Sequence, residues 1–96
     1  NDGVMPQPIT IDEAILAGKV KTPTLDGAVN LTIPAGATTG QTLRLKGKGI
    51  ERKGKPRGDQ RVELKIVAPP QVDDELKSFM ENWRGSHAYN PRKGMM

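Results

Sequence analysis

Apolar and charged residues alternate one by one over residues 61–66, and this alternation constrains the fold more than any other feature of the sequence. Val62, Leu64 and Ile66 are the apolar members, and charged residues occupy the positions between them. Because successive side chains of a strand point to opposite faces, this segment is predicted to be a β-strand with one buried face. Pro69 and Pro70 are expected to end it, since proline cannot donate to a central ladder.

A hairpin is predicted nearer the amino terminus, at Asp26-Gly27, a dipeptide typical of two-residue turns. Such a turn would place Thr22 opposite Leu31 and Val20 opposite Ile33, with the turn glycine at a positive φ angle. The face expected to be buried consists of Val20, Thr22, Thr24, Val29, Leu31 and Ile33.

A further strand is predicted at about Thr42–Lys46, with Leu43 and Leu45 facing inward. The polar stretch at residues 51–58 contains two glycines and a proline, and it is typical of a mobile loop. Several short strands separated by glycine- and proline-rich connections predict an all-β chain built from two packed sheets.

Two helices are predicted to flank the strands. Thr10 with Glu13 three residues later forms a capping-box signature, so a short helix should begin there. Gly18 is expected to end that helix from the left-handed position. The second helix is predicted over about residues 74–84, capped by Asp73 and ended by Gly85.

The second helix carries one apolar stripe at i, i+3, i+4 and i+7 spacing. Its members are Leu76, Phe79, Met80 and Trp83. One interpretation packs the stripe on the sheets of the same chain, and the other uses it for self-association. The large side chains of Phe79 and Trp83 suit either role.

Several kinds of chemistry are excluded or disfavoured by composition. The chain has no cysteine, so disulfides, cysteine zinc sites and a thiol nucleophile are all absent. His87 is the only histidine, and it has no further ligands at metal-binding spacing. No apolar run approaches the length of a membrane span. We therefore expect a protein that is not an enzyme and that binds no cofactor, metal or membrane.

A basic segment leaves two interpretations open. Its members are Arg44, Lys46, Lys48, Arg52, Lys53, Lys55 and Arg57. The formal net charge of +4 permits a nucleic-acid interface at this segment. A solvated strand face followed by a loop is favoured, because no aromatic residue is interleaved there to stack on bases.

Five segments, in order along the chain, resemble the second carboxy-terminal domain of DnaJ-class co-chaperones. Residues 8–18 read P-I-T-I-D-E-A-I-L-A-G, similar to P-[IV]-T-[IL]-x-E-A-x-L-G-G in that family. Residues 20–27 and 31–36 resemble V-x-[VT]-P-T-L-x-G and [LV]-x-[IV]-P-x-G. Residues 40–49 resemble G-x-x-[LF]-R-[LV]-x-G-[KR]-G, and a Gly-Asp junction precedes the last strand.

The chain also departs from the pattern of a full DnaJ protein. It has no His-Pro-Asp tripeptide, no cysteine-rich zinc region and no Gly/Phe linker. Ala17 stands where the family often has a second glycine. We therefore expect a fragment of a longer protein, with residues 6–84 as the domain and residues 85–96 as a tail.

The resemblance implies a two-sheet sandwich of the DnaJ peptide-binding type with a short early helix and a terminal helix. It implies binding of exposed apolar segments of unfolded proteins, at a surface around Ile15, Val20 and Leu25. It also favours the self-association interpretation of the stripe of Leu76, Phe79, Met80 and Trp83.

The partners implied are unfolded client proteins, a DnaK-class chaperone and a second copy of the chain, in the cytoplasm. Two rival functions stay open: a nucleic-acid-binding module that uses the basic segment, and a structural dimer clamp without client contact.

Overall fold

The computed structural model describes residues 3–45 and 58–95, and these residues form five strands and two helices. The elements are β1 (Gly3–Thr10), α1 (Ile11–Leu16), β2 (Gly18–Thr24), β3 (Gly27–Ile33), β4 (Thr42–Leu45), β5 (Gln60–Val67) and α2 (Asp74–His87). One sheet has three strands in the order β1-β5-β4, and the other pairs β2 with β3. The expected all-β, two-sheet fold with an early and a terminal helix is confirmed.

The core lies between the two sheets and α1. Its buried apolar residues are Ile9, Ala14, Leu31, Ile33, Val62 and Leu64. Thr22 is fully buried among them, and its hydroxyl donates to Gln7 Oε1 at 3.1 Å. Because Thr22 lies on β2 and Gln7 on β1, this hydrogen bond joins the two sheets through the core.

β1 is a strand that the sequence analysis did not predict. It pairs in parallel with β5, with Met5 opposite Val62 and Ile9 opposite Ile66. Pro6 and Pro8 obscured it, since proline weakens a strand pattern. Both prolines occupy alternate positions of an edge strand, so their missing N–H groups can lie on the edge away from β5.

The hairpin is confirmed, but its predicted register is wrong by two residues. Val20 lies opposite Leu31, and Thr22 lies opposite Val29. The turn residues are Leu25 and Asp26, and the Thr24 hydroxyl closes the turn by accepting from the Asp26 N–H at 3.1 Å.

Gly27 is the first residue of β3 and has a φ of 104°, so the predicted positive φ is confirmed. A shift of two residues preserves the face of every side chain, and the predicted buried face is therefore also correct.

The capping box of α1 is confirmed, but the predicted role of Gly18 is wrong. The Glu13 N–H donates to Thr10 Oγ1 at 3.3 Å, and the Thr10 N–H donates to Glu13 Oε1 at 2.9 Å. Ala17, not Gly18, has the positive φ, at 81° with a ψ of 166°. Gly18 already pairs with Ile33 as the first residue of β2, so the chain must reverse within one residue.

The inward side chains of the other predicted strands are as expected. Val62 and Leu64 are fully buried, and Leu43 and Leu45 pack partly buried against the core. β4 pairs antiparallel with β5 from Thr42 onward. Lys46, the expected end of β4, and most of the expected mobile loop lie outside the described residues.

α2 begins where predicted and ends later than predicted. Asp73 Oδ1 accepts the Leu76 N–H at 2.8 Å, which confirms the cap. Gly85 lies inside the helix, which continues to His87, so the predicted stop is wrong. A glycine can adopt helical angles as well as left-handed ones. Here the His87 ring stacks on Trp83 and supports the extra turn.

Candidate interaction surface on the terminal helix

Three of the four members of the apolar stripe of α2 face water, and Leu76 is half-buried. Phe79 is 61% exposed, Met80 47% and Trp83 38%, and no residue of α2 is buried. The radius of gyration is 17.4 Å, whereas a compact domain of this length has about 12–13 Å. The helix therefore projects from the sandwich, and the structure does not pack its stripe on the sheets of its own chain.

Local signals explain why this segment is helical without tertiary packing. Asp73 caps it, Asp74 and Glu75 lie in the first turn, and Arg84 and His87 lie in the last turn. Acidic residues at the positive end and basic residues at the negative end each stabilise a helix by roughly 0.3–1 kcal/mol.

Trp83 is the centre of an aromatic cluster at the carboxyl end of α2. The imidazole of His87 stacks on the indole with ring centroids 5.0 Å apart and planes at 10°. Tyr89 meets the same indole edge-on at 6.4 Å. His87 Nδ1 lies 3.1 Å from the Trp83 carbonyl oxygen and 3.0 Å from Ser86 Oγ.

An open apolar groove separates α2 from α1 and the carboxyl end of β5. Its apolar lining includes Ile11, Ile15, Leu16, Ile66, Val67, Val72, Leu76, Phe79, Met80, Trp83 and Tyr89. Ile15 is 61% exposed and Leu16 74%, so α1 also contributes an uncovered apolar face. We call this feature the α1–α2 groove. Large exposed apolar patches of this kind mark interaction sites in stable proteins.

The three residues expected to bind client do not lie together. Ile15 lines the α1–α2 groove beside the stripe of α2. Leu25 is 67% exposed at the hairpin tip, about 20 Å along β2 from α1. Val20 is partly buried against the core. Their role in client binding stays a prediction, and only Ile15 shares a surface with the residues expected to self-associate.

Sequence reasoning missed part of the groove. Val67 and Val72 flank the double proline after β5, and Ile11 and Leu16 lie on α1 with Ile15. The exposed apolar residues of α1 were a usable signal, because a helix of six residues has too few positions to bury them all.

The described part of the basic segment lies on β4. Arg44 forms an ion pair with Asp59 at 3.2 Å and lies opposite Arg61 across β4 and β5. Its side chain is 55% exposed, so it faces solvent on the outer side of the sheet. The other members, Lys46, Lys48, Arg52, Lys53, Lys55 and Arg57, lie outside the described residues.

No candidate metal centre of three or more His, Cys, Asp or Glu side chains occurs among residues 3–45 and 58–95. In the same part of the chain, neither helix is long and apolar enough to cross a membrane.

Comparison with known proteins gives a consistent set of matches. Residues 1–69 match the family model described as DnaJ C terminal domain. The chain is 41% identical over 86 residues to Chaperone protein DnaJ 2 of a Synechocystis species, covering 90% of this chain and 28% of the relative. It is 40% identical over 98 aligned positions to Chaperone protein DnaJ of Ruminiclostridium cellulolyticum, covering 98% and 26%.

A third relative is Curved DNA-binding protein of Coxiella burnetii, 43% identical over 89 residues, which cover 93% of this chain and 28% of the relative. The chain thus spans less than a third of the length of these curated relatives. The family match ends at residue 69, before α2, whereas the pairwise matches extend over 90% or more of the chain.

Proposed function

The chain belongs to the DnaJ C-terminal domain family, and on that premise we propose that it is the client-binding and dimer-forming domain of a DnaJ-class co-chaperone. Its task is non-catalytic: it binds exposed apolar segments of unfolded proteins and delivers them to a DnaK-class chaperone in the cytoplasm. The observation that carries the proposal is the α1–α2 groove, an apolar surface with a projecting helix on one side.

Self-association uses the stripe of α2. Phe79 and Trp83 occupy positions i and i+4 of one helix face and together leave large aromatic surfaces in water. A second copy that covers them removes this surface from water at roughly 25 cal/mol per Å². Aromatic anchors near the centre of an interface commonly contribute 2 kcal/mol or more. Two joined copies also hold two weak client sites together, which raises the affinity for a long unfolded chain.

Client binding uses the α1 side of the groove, around Ile15. Its walls are mainly aliphatic, and an unfolded segment offers the same chemistry without a fixed sequence. The division into a domain of residues 6–84 and a tail of residues 85–96 stays a prediction, although strand β1 begins at Gly3 and α2 continues to His87.

Sedimentation of the 96-residue chain tests the dimer. We expect a concentration-dependent monomer–dimer equilibrium that Trp83→Ala shifts toward monomer by about 2 kcal/mol or more. Val4→Ala is the matched control, since Val4 is 62% exposed on β1, away from α2. Equal dimerisation of the Trp83 variant and the parent would exclude the stripe as the interface.

Suppression of the aggregation of an unfolded protein tests the client site. Ile15→Ser should weaken it several-fold, and Leu25→Ser is the matched comparison because both side chains are similarly exposed. A larger loss in the Leu25 variant would move the client surface to the hairpin tip. Both positions are exposed, so neither change should alter the melting temperature much.

The name of the Coxiella burnetii relative favours a second candidate, duplex DNA binding through the basic segment. The variant Lys53→Gln/Lys55→Gln/Arg57→Gln tests it by retention on duplex DNA at two salt concentrations. DNA binding through phosphates weakens steeply with salt, with a slope of about −0.9 per contact, whereas apolar client binding does not. Tight retention of the parent at about 0.15 M salt, lost in the triple variant, would make DNA the ligand.

A further inference from the structure

The stripe of the proposed dimer face ends at Trp83, the only tryptophan of the chain, and Trp83 is in contact with His87, the only histidine. The rings of Trp83 and His87 are nearly parallel, at 10°, with centroids 5.0 Å apart. Trp83 keeps 38% of its surface exposed beside this stack. Histidine is the side chain that ordinarily changes charge between about pH 5 and 8. A positive charge on the His87 ring would therefore lie directly against Trp83, the largest apolar side chain of the stripe.

A single copy accommodates that charge easily. An imidazolium donates from both ring nitrogens, and Nδ1 already lies 3.1 Å from the Trp83 carbonyl oxygen, which can accept. The cation stands over an indole face, an arrangement that is attractive. It also lies in the last turn of α2, where the helix dipole favours positive charge. Water reaches the ring, because His87 is exposed.

The charged side chains near His87 would not stabilise an imidazolium from which water has been removed. Arg84 precedes His87 by three positions and so lies next to it on the helix, with the same sign of charge. The phenol of Tyr89 packs on the edge of Trp83, and Arg92 follows in the next turn beside the groove. In the part of the chain that the structure describes, no carboxylate forms an ion pair with His87.

We propose that protonation of His87 weakens self-association through α2, which makes the dimer pH-sensitive and less stable in mild acid. The inference rests on the proposed dimer. When a second helix covers Trp83, it also removes water from the adjacent imidazolium, and loss of water disfavours a charge that has no opposite partner. A two-fold interface includes this residue twice, so the effect counts twice for each dimer.

The test is the dissociation constant of the 96-residue chain at about pH 5.5 and about pH 7.5, at equal ionic strength, by sedimentation. We expect Kd to be about tenfold higher at the lower pH. His87→Gln keeps a hydrogen-bonding side chain but cannot ionise, so its Kd should change by less than about twofold. Circular dichroism at both pH values checks that the fold is retained.

A second readout does not need dimerisation. The fluorescence of Trp83 in dilute monomer should change as the stacked imidazole becomes charged, and this change should be absent in His87→Gln. A dimer with the same Kd at both pH values overturns the inference and leaves the dimer proposal standing, as does a pH dependence that His87→Gln retains. A chain that stays monomeric at both pH values overturns the dimer proposal and the inference together.

Discussion

The connection between α1 and β2 allows a quantitative prediction, because it holds an alanine in a backbone conformation that is almost confined to glycine. Ala17 has φ 81° and ψ 166°, and it is the only non-glycine residue with a positive φ in the described part of the chain. A side chain in this region costs roughly 1–3 kcal/mol. Ala17→Gly should remove that strain.

Part of the stability gained by Ala17→Gly is lost because glycine makes the unfolded chain more flexible. Glycine loses more backbone freedom on folding than alanine does, by roughly 0.5–1 kcal/mol. The side chain of Ala17 is exposed, so its deletion removes little packing. The net expectation is a stabilisation of about 1 kcal/mol, which corresponds to a rise in melting temperature of roughly 4–8 °C for a domain of this size.

Thermal and urea unfolding measure the effect, and Ala28→Gly is the matched control. Ala28 is also exposed but lies in β3 without a positive φ, so the same change there should destabilise by about 0.5–1 kcal/mol. Opposite signs for the two variants support the strain at residue 17. An Ala17→Gly variant that melts at or below the parent would refute the reasoning.

Three further predictions concern the hairpin, the core and the activity. Gly27→Val should lower the free energy of unfolding in urea by about 1–2 kcal/mol, because the φ of 104° disfavours a β-branched residue. The valine Cβ would meet nothing within 4 Å, so the backbone conformation alone causes the loss, and an unchanged midpoint would contradict the turn described. Thr22→Val should cost about 1 kcal/mol by removing the buried hydrogen bond to Gln7, and a neutral result would mean that the bond adds nothing to the sheet contact. The 96-residue chain should not stimulate ATP hydrolysis by a DnaK-class chaperone, since it has no His-Pro-Asp tripeptide, and a steady-state ATPase assay with a full DnaJ protein as the positive control measures this.

The fold was predictable to the extent that local patterns dictate it. The alternation around Val62 and Leu64 gave the central strand and its buried face. Asp26-Gly27 gave the existence of the hairpin, but the dipeptide does not say how the turn is closed. The Thr24 hydroxyl accepts from the Asp26 N–H and donates to the Gly27 carbonyl oxygen at 2.6 Å, so the turn closes one residue earlier and each strand partner shifts by two.

The two errors share a physical cause, which is that another contact of the chain overrode a local breaker. Pro6 and Pro8 argue against a strand, yet β1 forms because one edge needs no hydrogen bonds. Gly85 argues for a helix end, yet α2 continues because the His87 ring stacks one turn back on Trp83. The β1–β5 pairing joins segments that are far apart in the sequence, so the residues around Pro6 and Pro8 do not reveal it.

The candidate surface was only half predictable for a different reason. Helical spacing identifies which residues of α2 share a face, and it cannot say whether that face meets the same chain. The structure answers this for the described residues, where Phe79, Met80 and Trp83 stay exposed to water and line the same groove as Ile15 of α1. The family resemblance grouped Leu25 with Ile15, but Ile15 lies on α1 before β2 and Leu25 lies in the turn after β2, so the strand separates them.

Because the core and the stripe of α2 are separate, variants in the two should have different effects. The buried core of Ile33, Val62 and Leu64 is independent of α2, since no residue of that helix is buried. Changes in the stripe should therefore alter association without altering the unfolding of the monomer, and changes such as Ala17→Gly should do the reverse. If a stripe variant instead lowered the melting temperature of dilute monomer, α2 would have to pack on its own domain in solution, and the surface now assigned to a second copy would be part of the fold.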